Sequence, residues 1–268
     1  MTGAATKGAV RRCVERRRPR DAGPGEDWIA AEVPVAIRCN DQPHVVMMAT
    51  PCDLGDFALG FALSEGIIAT ADELGEVVET TLLEGVQLSL HIPPARAEAV
   101  ARRQRNLTGR SGCGLCGTQE LEDVVRHPPR VAAPPAVADA VLHRALDALA
   151  GAQPLNALTG AVHAAAWSDR EGRLLLVRED VGRHNALDKL IGALAKAGLD
   201  PQAGFLVVTS RASYEMVQKA ATVGIGFIAA VSAPTALAIH LAESTGVTLI
   251  GFARAEGHVV YARRAAED

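Results

Sequence analysis

The chain has 268 residues and a formal net charge of −4 at pH 7, and only 3% of its residues are aromatic. The scarcity of aromatic rings argues against a protein that binds single-stranded nucleic acid, because such proteins stack bases on aromatic side chains. No segment has the uninterrupted apolar length that a membrane span requires. Since 49% of the residues are hydrophobic, we expect a core of Ala, Val, Leu and Ile, which suits helices packed on a parallel sheet.

Residues 1–26 form a distinct basic segment, with seven Lys or Arg side chains and three Asp or Glu. Their polar composition, broken by Gly and Pro, predicts a disordered leader. Arg11 and Arg12 resemble the start of a twin-arginine export signal, but no apolar stretch follows them, so we do not expect export. The chain is therefore predicted to be cytoplasmic. In that reducing compartment, a Cys-x-x-Cys pair is more often catalytic or metal-binding than a structural disulfide.

Residues 27–133 are predicted to form a smaller α+β domain. Short β-prone runs separated by turn residues predict two hairpins, and each hairpin is followed by a helical segment. We expect the domain to end in a glycine-rich loop that contains Cys113 and Cys116, followed by a proline-rich seam. The predicted elements are strands at Val33–Cys39 and His44–Ala49, a helix that begins after Asp53 and stops at Gly66, strands at Glu76–Leu83 and Val86–Ile92, and a basic helix at Ala95–Gln104.

Residues 134–268 are predicted to form an α/β domain that binds a nucleotide or cofactor. Apolar, strand-like runs alternate with helical patterns, which indicates a largely parallel sheet with helices on both faces. The predicted strands are Leu174–Val177, Phe205–Thr209, Phe227–Ser232, Thr248–Phe252 and His258–Ala262, and the predicted helices are Asp139–Ala150, Asn185–Ala197, Tyr214–Val223 and Thr235–Ser244.

The ends of these strands are the candidate binding site, because ligands in such sheets bind at the carboxyl edge. Arginines and hydroxyls stand there beside helix starts, a combination that favours phosphate, so we expect an anionic, phosphate-bearing ligand. Each candidate has a plainer alternative as a helix start, a cap, a turn or, for the histidine, a core position. The candidate residues are His163, Asp180, Gly182, Arg183, Ser210, Arg211 and the segment 252–257.

The segment from Cys113 to Cys116 is the candidate reactive centre. A persulfide carrier needs an accessible thiolate in an electropositive setting, and four arginines lie just upstream, at positions 102, 103, 105 and 110. The paired cysteine could resolve a persulfide by thiol exchange. Half of a zinc site is an equal alternative from the residues alone, although the other three cysteines form no second pair that would complete four ligands. A redox pair or an inert pair also stays open.

Several longer motifs resemble the formate dehydrogenase accessory sulfurtransferases, the FdhD family. The resemblance spans the chain from about residue 30 to its end and does not include the tail before Trp28. The matching stretches are ATPCDLGDFALGFALSEGII at 49–68, SGCGLCG at 111–117, TGAVHAAAW at 159–167, REDVGRHNALDKLIG at 178–192, TSRASYEMVQKAATVGI at 209–225 and VSAPTALAIHLAESTGVTLIGFAR at 231–254.

The resemblance implies a sulfurtransferase that takes sulfur from a cysteine desulfurase and passes it to the molybdenum cofactor, before that cofactor enters formate dehydrogenase. The cofactor form would be bis-molybdopterin guanine dinucleotide, with GDP as a simple mimic. The fold would be similar to that of cytidine deaminases, a three-layer α/β/α core, usually as a homodimer. A cofactor-binding chaperone whose cysteines stay chemically idle is the alternative function.

The resemblance also implies roles for individual residues. Cys113 would carry the persulfide with Cys116 as its partner. Deaminase chemistry is not expected, because His163 lacks the glutamate two residues later that zinc deaminases require. No protein-bound metal is expected either. In the resulting mechanism Asp180 would accept hydrogen bonds from guanine. Phosphates would face Arg183, Ser210, Arg211 and Arg254, and the cofactor-binding segment would comprise Phe252, Ala253, Arg254, Ala255, Glu256 and Gly257.

Overall fold

The structure is a computed structural model that describes residues 7–18, 21–108, 128–133 and 135–263. Within these residues it contains a two-stranded, a four-stranded and a six-stranded sheet. Helices pack against the two larger sheets and against each other. Across the described ranges, no helix combines the length and the apolar character needed to cross a membrane.

A β-hairpin stands at the start of the described chain. Strands β1 (Ala9–Arg18) and β2 (Asp21–Ala30) pair antiparallel along their whole length. The prediction of a disordered leader over 1–26 is therefore wrong for these two strands. Composition alone did not show that β2 offers partners to the arginines of β1. The Arg11 guanidinium lies 3.2 Å from the Glu26 carboxylate and 5.7 Å from the centre of the Trp28 ring.

The base of this hairpin packs against the rest of the protein. Ala9 is buried in a small apolar cluster with Leu155 and Val162, and Trp28 packs against the same cluster. Burial of this apolar surface supplies the tertiary contact that an isolated hairpin lacks, since two strands alone are marginally stable in water. The hairpin is thereby ordered by contacts far along the sequence.

The four-stranded sheet forms the N-terminal half of the fold. Its strands are β3 (Val33–Cys39), β4 (Gln42–Ala49), β5 (Val77–Thr81) and β6 (Val86–Leu90), in the order β4-β3-β6-β5. The two predicted hairpins are confirmed, and β3 pairs with β6 in parallel to join them into one sheet. A short 3-10 turn at Ala71–Glu73 precedes β5, and helix α2 (Pro94–Thr108) follows β6, as predicted.

Helix α1 (Leu54–Ser64) packs on this sheet and begins and ends where the sequence predicts. Asp53 occupies the N-cap position, but its backbone is left-handed (φ 52°) and its side chain makes no capping hydrogen bond. Gly66 follows the helix with a φ of 63°, a conformation that glycine adopts without the steric cost of a side chain.

Helix α1 also crosses helix α5 (Arg183–Lys196) at very short range. A Cβ atom added at Gly60 would lie 1.7 Å from the Asp188 carbonyl oxygen, and one added at Gly192 would lie 2.0 Å from the Asp56 carbonyl oxygen. Glycine at both positions therefore lets the two backbones touch. This crossing joins the N-terminal sheet to the C-terminal part of the chain.

The six-stranded sheet is mixed rather than largely parallel. Strands β9, β10 and β11 are parallel, while β7 runs antiparallel to β8 and β9, and β12 runs antiparallel to β11. The strand order is β12-β11-β10-β9-β7-β8. The bounds are β7 (His163–Asp169), β8 (Leu174–Asp180), β9 (Gly204–Val208), β10 (Phe227–Ala230), β11 (Thr248–Arg254) and β12 (Gly257–Ala262).

Helices cover both faces of this sheet, which confirms the predicted three-layer α/β/α arrangement. On one face, α5, α6 (Tyr214–Thr222) and α7 (Ala236–Thr245) pack against alternate side chains of β7, β9 and β10. On the other face, α3 (Asp139–Gly151) packs against the remaining side chains of the same strands. The short helix α4 (Pro154–Thr159) connects α3 to β7.

Candidate functional site

The strand ends meet at one edge of the six-stranded sheet. His163, at the start of β7, pairs with Asp180, at the end of β8. Thr209 follows β9, and its backbone N–H donates to the Ala164 carbonyl oxygen at 3.0 Å, while its side-chain oxygen accepts a hydrogen bond from the Ala164 N–H at 2.9 Å. The turn between β11 and β12 closes the same edge at Arg254. The predicted edge of the sheet therefore exists, although two of the strands that meet there, β7 and β12, run antiparallel to the others.

A crevice of about 450 Å³ opens at this edge. It lies between the sheet and the segment formed by the end of α3 and by α4. Four of the predicted site residues line it. Its lining includes Leu146, Asp147, Asn156, His163, Thr209, Ala253, Arg254 and Ala255.

Helix α4 is held against the crevice by a buried carboxylate. Glu179, at 8% exposure, accepts hydrogen bonds from the backbone N–H groups of Leu155 and Asn156, at 2.9 and 2.8 Å. These donors lie in the first turn of the helix, where backbone N–H groups lack partners within the helix. Asn156 is thereby fixed in the crevice wall. Sequence patterns did not single it out, because Glu179 reaches it from another element.

The turn after β11 places the predicted cofactor-binding segment at the mouth of the crevice. Ala253 is buried, whereas Arg254, Ala255 and Glu256 are exposed. The Nε atom of Arg254 donates to the Val231 carbonyl oxygen at 3.2 Å, which ties the exposed guanidinium to the end of β10. Phe252 has a φ of 50°, and such a left-handed backbone is costly for a bulky side chain. Gly257, with a φ of 143°, begins β12.

Asp180 lies in the interior and does not face the crevice. Its carboxylate is fully buried, 2.7 Å from Nζ of Lys189. It also accepts hydrogen bonds from the backbone N–H groups of Thr50 and Gly182 and from the Asn185 side chain, at 3.0, 2.8 and 3.0 Å. These partners occupy both oxygens, so the expectation that Asp180 accepts hydrogen bonds from guanine is wrong for this arrangement. The carboxylate instead fixes the turn between β8 and α5.

Arg183 and His184 open helix α5 beside that turn and do not line the crevice. His184 Nε2 lies 3.9 Å from the Glu215 carboxylate. Burial, together with the nearby Arg183 guanidinium, lowers the pKa of His184 to about 4. Burial also lowers the pKa of His163, and Arg183 adds to that effect. Both imidazoles are therefore neutral at pH 7.

Ser210 and Arg211 lie next to the crevice but outside its lining. Ser210 is buried at 4% exposure and its hydroxyl donates to the Arg211 carbonyl oxygen at 3.0 Å. The Arg211 side chain is exposed. Their predicted contact with phosphate stays a prediction.

The candidate persulfide residues Cys113 and Cys116 lie outside the described residues. Among the described cysteines, Cys13 is exposed, and burial raises the pKa of the Cys39 thiol to about 11. Burial also raises the pKa of Cys52, although Lys189, whose Nζ is 3.8 Å from its sulfur, opposes that rise. Within the described ranges, no group of three or more His, Cys, Asp or Glu side chains could hold a metal ion.

The layers and the crevice define a three-layer α/β protein with a candidate ligand site at one edge of its six-stranded sheet. Residues 30–266 match the model of the FdhD/NarQ family. The chain therefore belongs to the FdhD/NarQ family.

Two relatives of the chain carry the same description. The chain is 58% identical over 254 residues to a protein of Xanthomonas euvesicatoria pv. vesicatoria described as sulfur carrier protein FdhD, covering 95% of this chain and 90% of the relative. A protein of Xanthomonas oryzae pv. oryzae with the same description is 56% identical over 265 residues, covering 97% and 94%. An alignment that covers 97% of the chain includes part of the β1–β2 hairpin, so the similarity to this relative also includes residues before Trp28.

A solved structure shares the fold. A formate dehydrogenase accessory protein from Desulfotalea psychrophila superposes with a TM-score of 0.72 at 25% sequence identity. The superposition covers 94% of this chain and 96% of that chain. The two proteins therefore share a mixed α/β architecture.

Proposed function

We propose that the protein is a cytoplasmic sulfurtransferase that carries sulfur as a persulfide on Cys113 and delivers it to the molybdenum cofactor for formate dehydrogenase. Its relatives described as sulfur carriers support the first half of this proposal. The accessory protein that shares its fold supports the link to formate dehydrogenase. A cysteine desulfurase is the proposed donor, and a homodimer is the proposed assembly.

The crevice at the edge of the six-stranded sheet is the observation that carries the proposal. Its volume of about 450 Å³ lies within the range of small-molecule sites, roughly 300 to 1,000 Å³. Arg254 supplies a cation at its mouth, and His163 and Thr209 supply polar atoms inside. A nucleotide end of bis-molybdopterin guanine dinucleotide fits this combination of shape and charge, since guanidinium groups bind phosphate well.

Sulfur loading is a thiol exchange. The Cys113 thiolate attacks the outer sulfur of the donor persulfide, the sulfur–sulfur bond of the donor breaks, and the desulfurase leaves as a thiolate. No net oxidation occurs, because one persulfide replaces another.

Sulfur release uses the second cysteine. The Cys116 thiolate attacks the inner sulfur of the Cys113 persulfide, which forms a Cys113–Cys116 disulfide and expels hydrosulfide. The two electrons that reduce the outer sulfur come from the cysteine pair. Hydrosulfide then replaces an oxygen ligand of molybdenum, which leaves as water after protonation. A thiol reductant of the cytoplasm returns the disulfide to the starting state.

Mass spectrometry tests the loading step. After incubation with a cysteine desulfurase and cysteine, we expect the wild-type protein to gain the mass of one sulfur atom, and Cys113→Ala to gain none. Cys13→Ser is the matched control, since Cys13 is exposed but lies in the hairpin, and it should gain sulfur like the wild type. A Cys113→Ala protein that still gains sulfur contradicts the assignment. A wild-type protein that gains none, yet binds the cofactor, is a chaperone instead.

A further inference from the structure

The two walls of the crevice differ in charge. One wall is the C-terminal half of α3, from Leu146 to Ala150, and it includes the exposed carboxylate of Asp147. A second wall is the β11–β12 turn, which presents Arg254. The C-terminal end of a helix carries partial negative charge, so α3 and Asp147 make their wall electronegative. A ligand is therefore expected to direct an anionic group toward Arg254 and hydrogen-bond donors toward α3.

The Asp147 carboxylate is available for such donors. Across the described residues, it takes part in none of the side-chain hydrogen bonds or ion pairs, in contrast to Asp180, whose oxygens are both engaged. Leu146, Leu149 and Val162 also line the crevice. These side chains offer apolar surface to the face of a planar ring.

Guanine matches this wall better than adenine does. Its N1–H and its 2-amino group are adjacent donors, and the two oxygens of one carboxylate can accept from both. Adenine has an unprotonated N1 beside its amino group, so a carboxylate there would meet one acceptor and lose one of the two hydrogen bonds.

We propose that Asp147 reads the guanine base of a nucleotide bound in the crevice, with the phosphates at Arg254. This inference rests on the proposed function, which places a guanine nucleotide end of the cofactor in the crevice. Asp147 thereby takes the part that the sequence suggested for Asp180. It is a specificity-determining residue and not a participant in sulfur transfer.

A change of preference from guanine to xanthine in an Asp147 variant tests the role assigned to Asp147. The probes are GDP and xanthosine 5′-diphosphate, in which a carbonyl oxygen replaces the 2-amino group, and calorimetry measures their binding to the full-length protein. In Asp147→Asn, the amide N–H meets the 2-amino group of guanine but can donate to the xanthine oxygen. We expect GDP affinity to fall by about 10- to 100-fold and xanthosine diphosphate affinity to rise by a similar factor.

The control variant is Asp139→Asn, which removes a charge from the same helix outside the crevice lining. It should bind both nucleotides like the wild type. A gain of xanthosine diphosphate binding by Asp147→Asn cannot result from damaged folding, so it separates recognition from stability.

Two results overturn the inference alone. The first is an Asp147→Asn variant that binds GDP as tightly as the wild type does. The second is a variant that loses GDP binding without gaining affinity for xanthosine diphosphate. In both cases, GDP binding by the wild-type protein would still support the proposed cofactor site. If the wild-type protein binds neither nucleotide, the proposed cofactor site falls and the role of Asp147 falls with it.

Discussion

Lys189 stabilises the turn between β8 and α5 from inside the protein. Its ammonium is fully buried, 2.7 Å from the Asp180 carboxylate and 3.0 Å from the Thr50 carbonyl oxygen. Lys189→Met would leave the Asp180 charge buried without its cation, and we expect a loss of about 3–5 kcal/mol in the free energy of unfolding. Urea denaturation measures this loss.

Lys196→Met is the matched control for that experiment. The Lys196 ammonium also lies 2.7 Å from a carboxylate, that of Asp56, but its side chain is 51% exposed. Solvent screens such a pair, so its removal should cost less than about 1 kcal/mol. Equal losses in the two variants would contradict a structural role for the buried pair.

His184 gives the stability of the protein a dependence on pH. Its pKa is lowered to about 4 in the folded protein, while an unfolded chain has a histidine pKa near 6.5. Between these values the unfolded chain binds more protons, so the free energy of unfolding falls as pH falls from 6.5 toward 4. The His184 side chain is 30% exposed, and we expect it to account for a loss of about 1–2 kcal/mol between pH 7 and pH 5.

Urea denaturation at pH 7 and pH 5 checks this prediction. His184→Gln should lose less stability between the two pH values than the wild type does. His240→Gln, at an exposed histidine of α7, should keep the wild-type dependence. An unchanged dependence in His184→Gln would show that other groups control the effect.

At this scale, the sequence predicted which residue types gather at the sheet edge but not which way each side chain points. Asp180 stands at the predicted strand end, but its carboxylate pairs with the buried ammonium of Lys189 on the next helix and therefore points inward. Asp147 was missed for the opposite reason. It belongs to an amphipathic helix, where an exposed acidic residue is common. Only the packing of α3 in the folded protein places Asp147 in the same crevice as Arg254.

At the scale of elements, the α1–α5 crossing depends on the absence of a side chain at Gly60. A methyl group there would lie 1.7 Å from the Asp188 carbonyl oxygen, and neither helix backbone can yield easily. Gly60→Ala should therefore lower the free energy of unfolding by about 3 kcal/mol, despite the better helix propensity of alanine. Chemical denaturation measures the change.

Gly55→Ala in the same helix is the control. The nearest atom to its added methyl group would be Nζ of Lys196 at 3.1 Å, the end of a flexible side chain. We expect a change between zero and a gain of about 1 kcal/mol. If Gly60→Ala behaves like Gly55→Ala, the close crossing is not the determinant of stability.

Helices and hairpins with clear periodicity were predictable, and β7 was not. Its three consecutive alanines, 164–166, lack the β-branched or aromatic side chains that mark strands. They are buried because helices pack on both faces of the strand, where small side chains suffice. The need for small side chains arises only when the helices and the sheet are assembled, so the local sequence pattern could not predict this strand. The missed strand β7 and the edge strand β12 are the two strands that run antiparallel to the rest of the sheet.

At the scale of the whole molecule, the two larger sheets should unfold together. Helix α1 packs on the N-terminal sheet and crosses α5 of the C-terminal layer, and Thr50 donates its backbone N–H to Asp180. Because these contacts are buried, loss of one half exposes the surface of the other. We expect a single cooperative transition in urea.

Two probes test this cooperativity. In Trp28→Phe, the fluorescence of Trp167 reports on the six-stranded sheet, while far-ultraviolet circular dichroism reports on all helices and strands. The midpoints of the two curves should coincide. Two resolved transitions would show that the halves fold independently.

The β1–β2 hairpin has a practical consequence for anyone who trims this protein. A fragment cut at the family boundary, residue 30, would lack the strands whose base covers Leu155 and Val162. Val162 lines the crevice, and Leu155 belongs to the helix that presents Asn156 to it. A chain shortened to the residues that the family model matches would therefore expose Leu155 and Val162 to water and loosen the wall of the crevice.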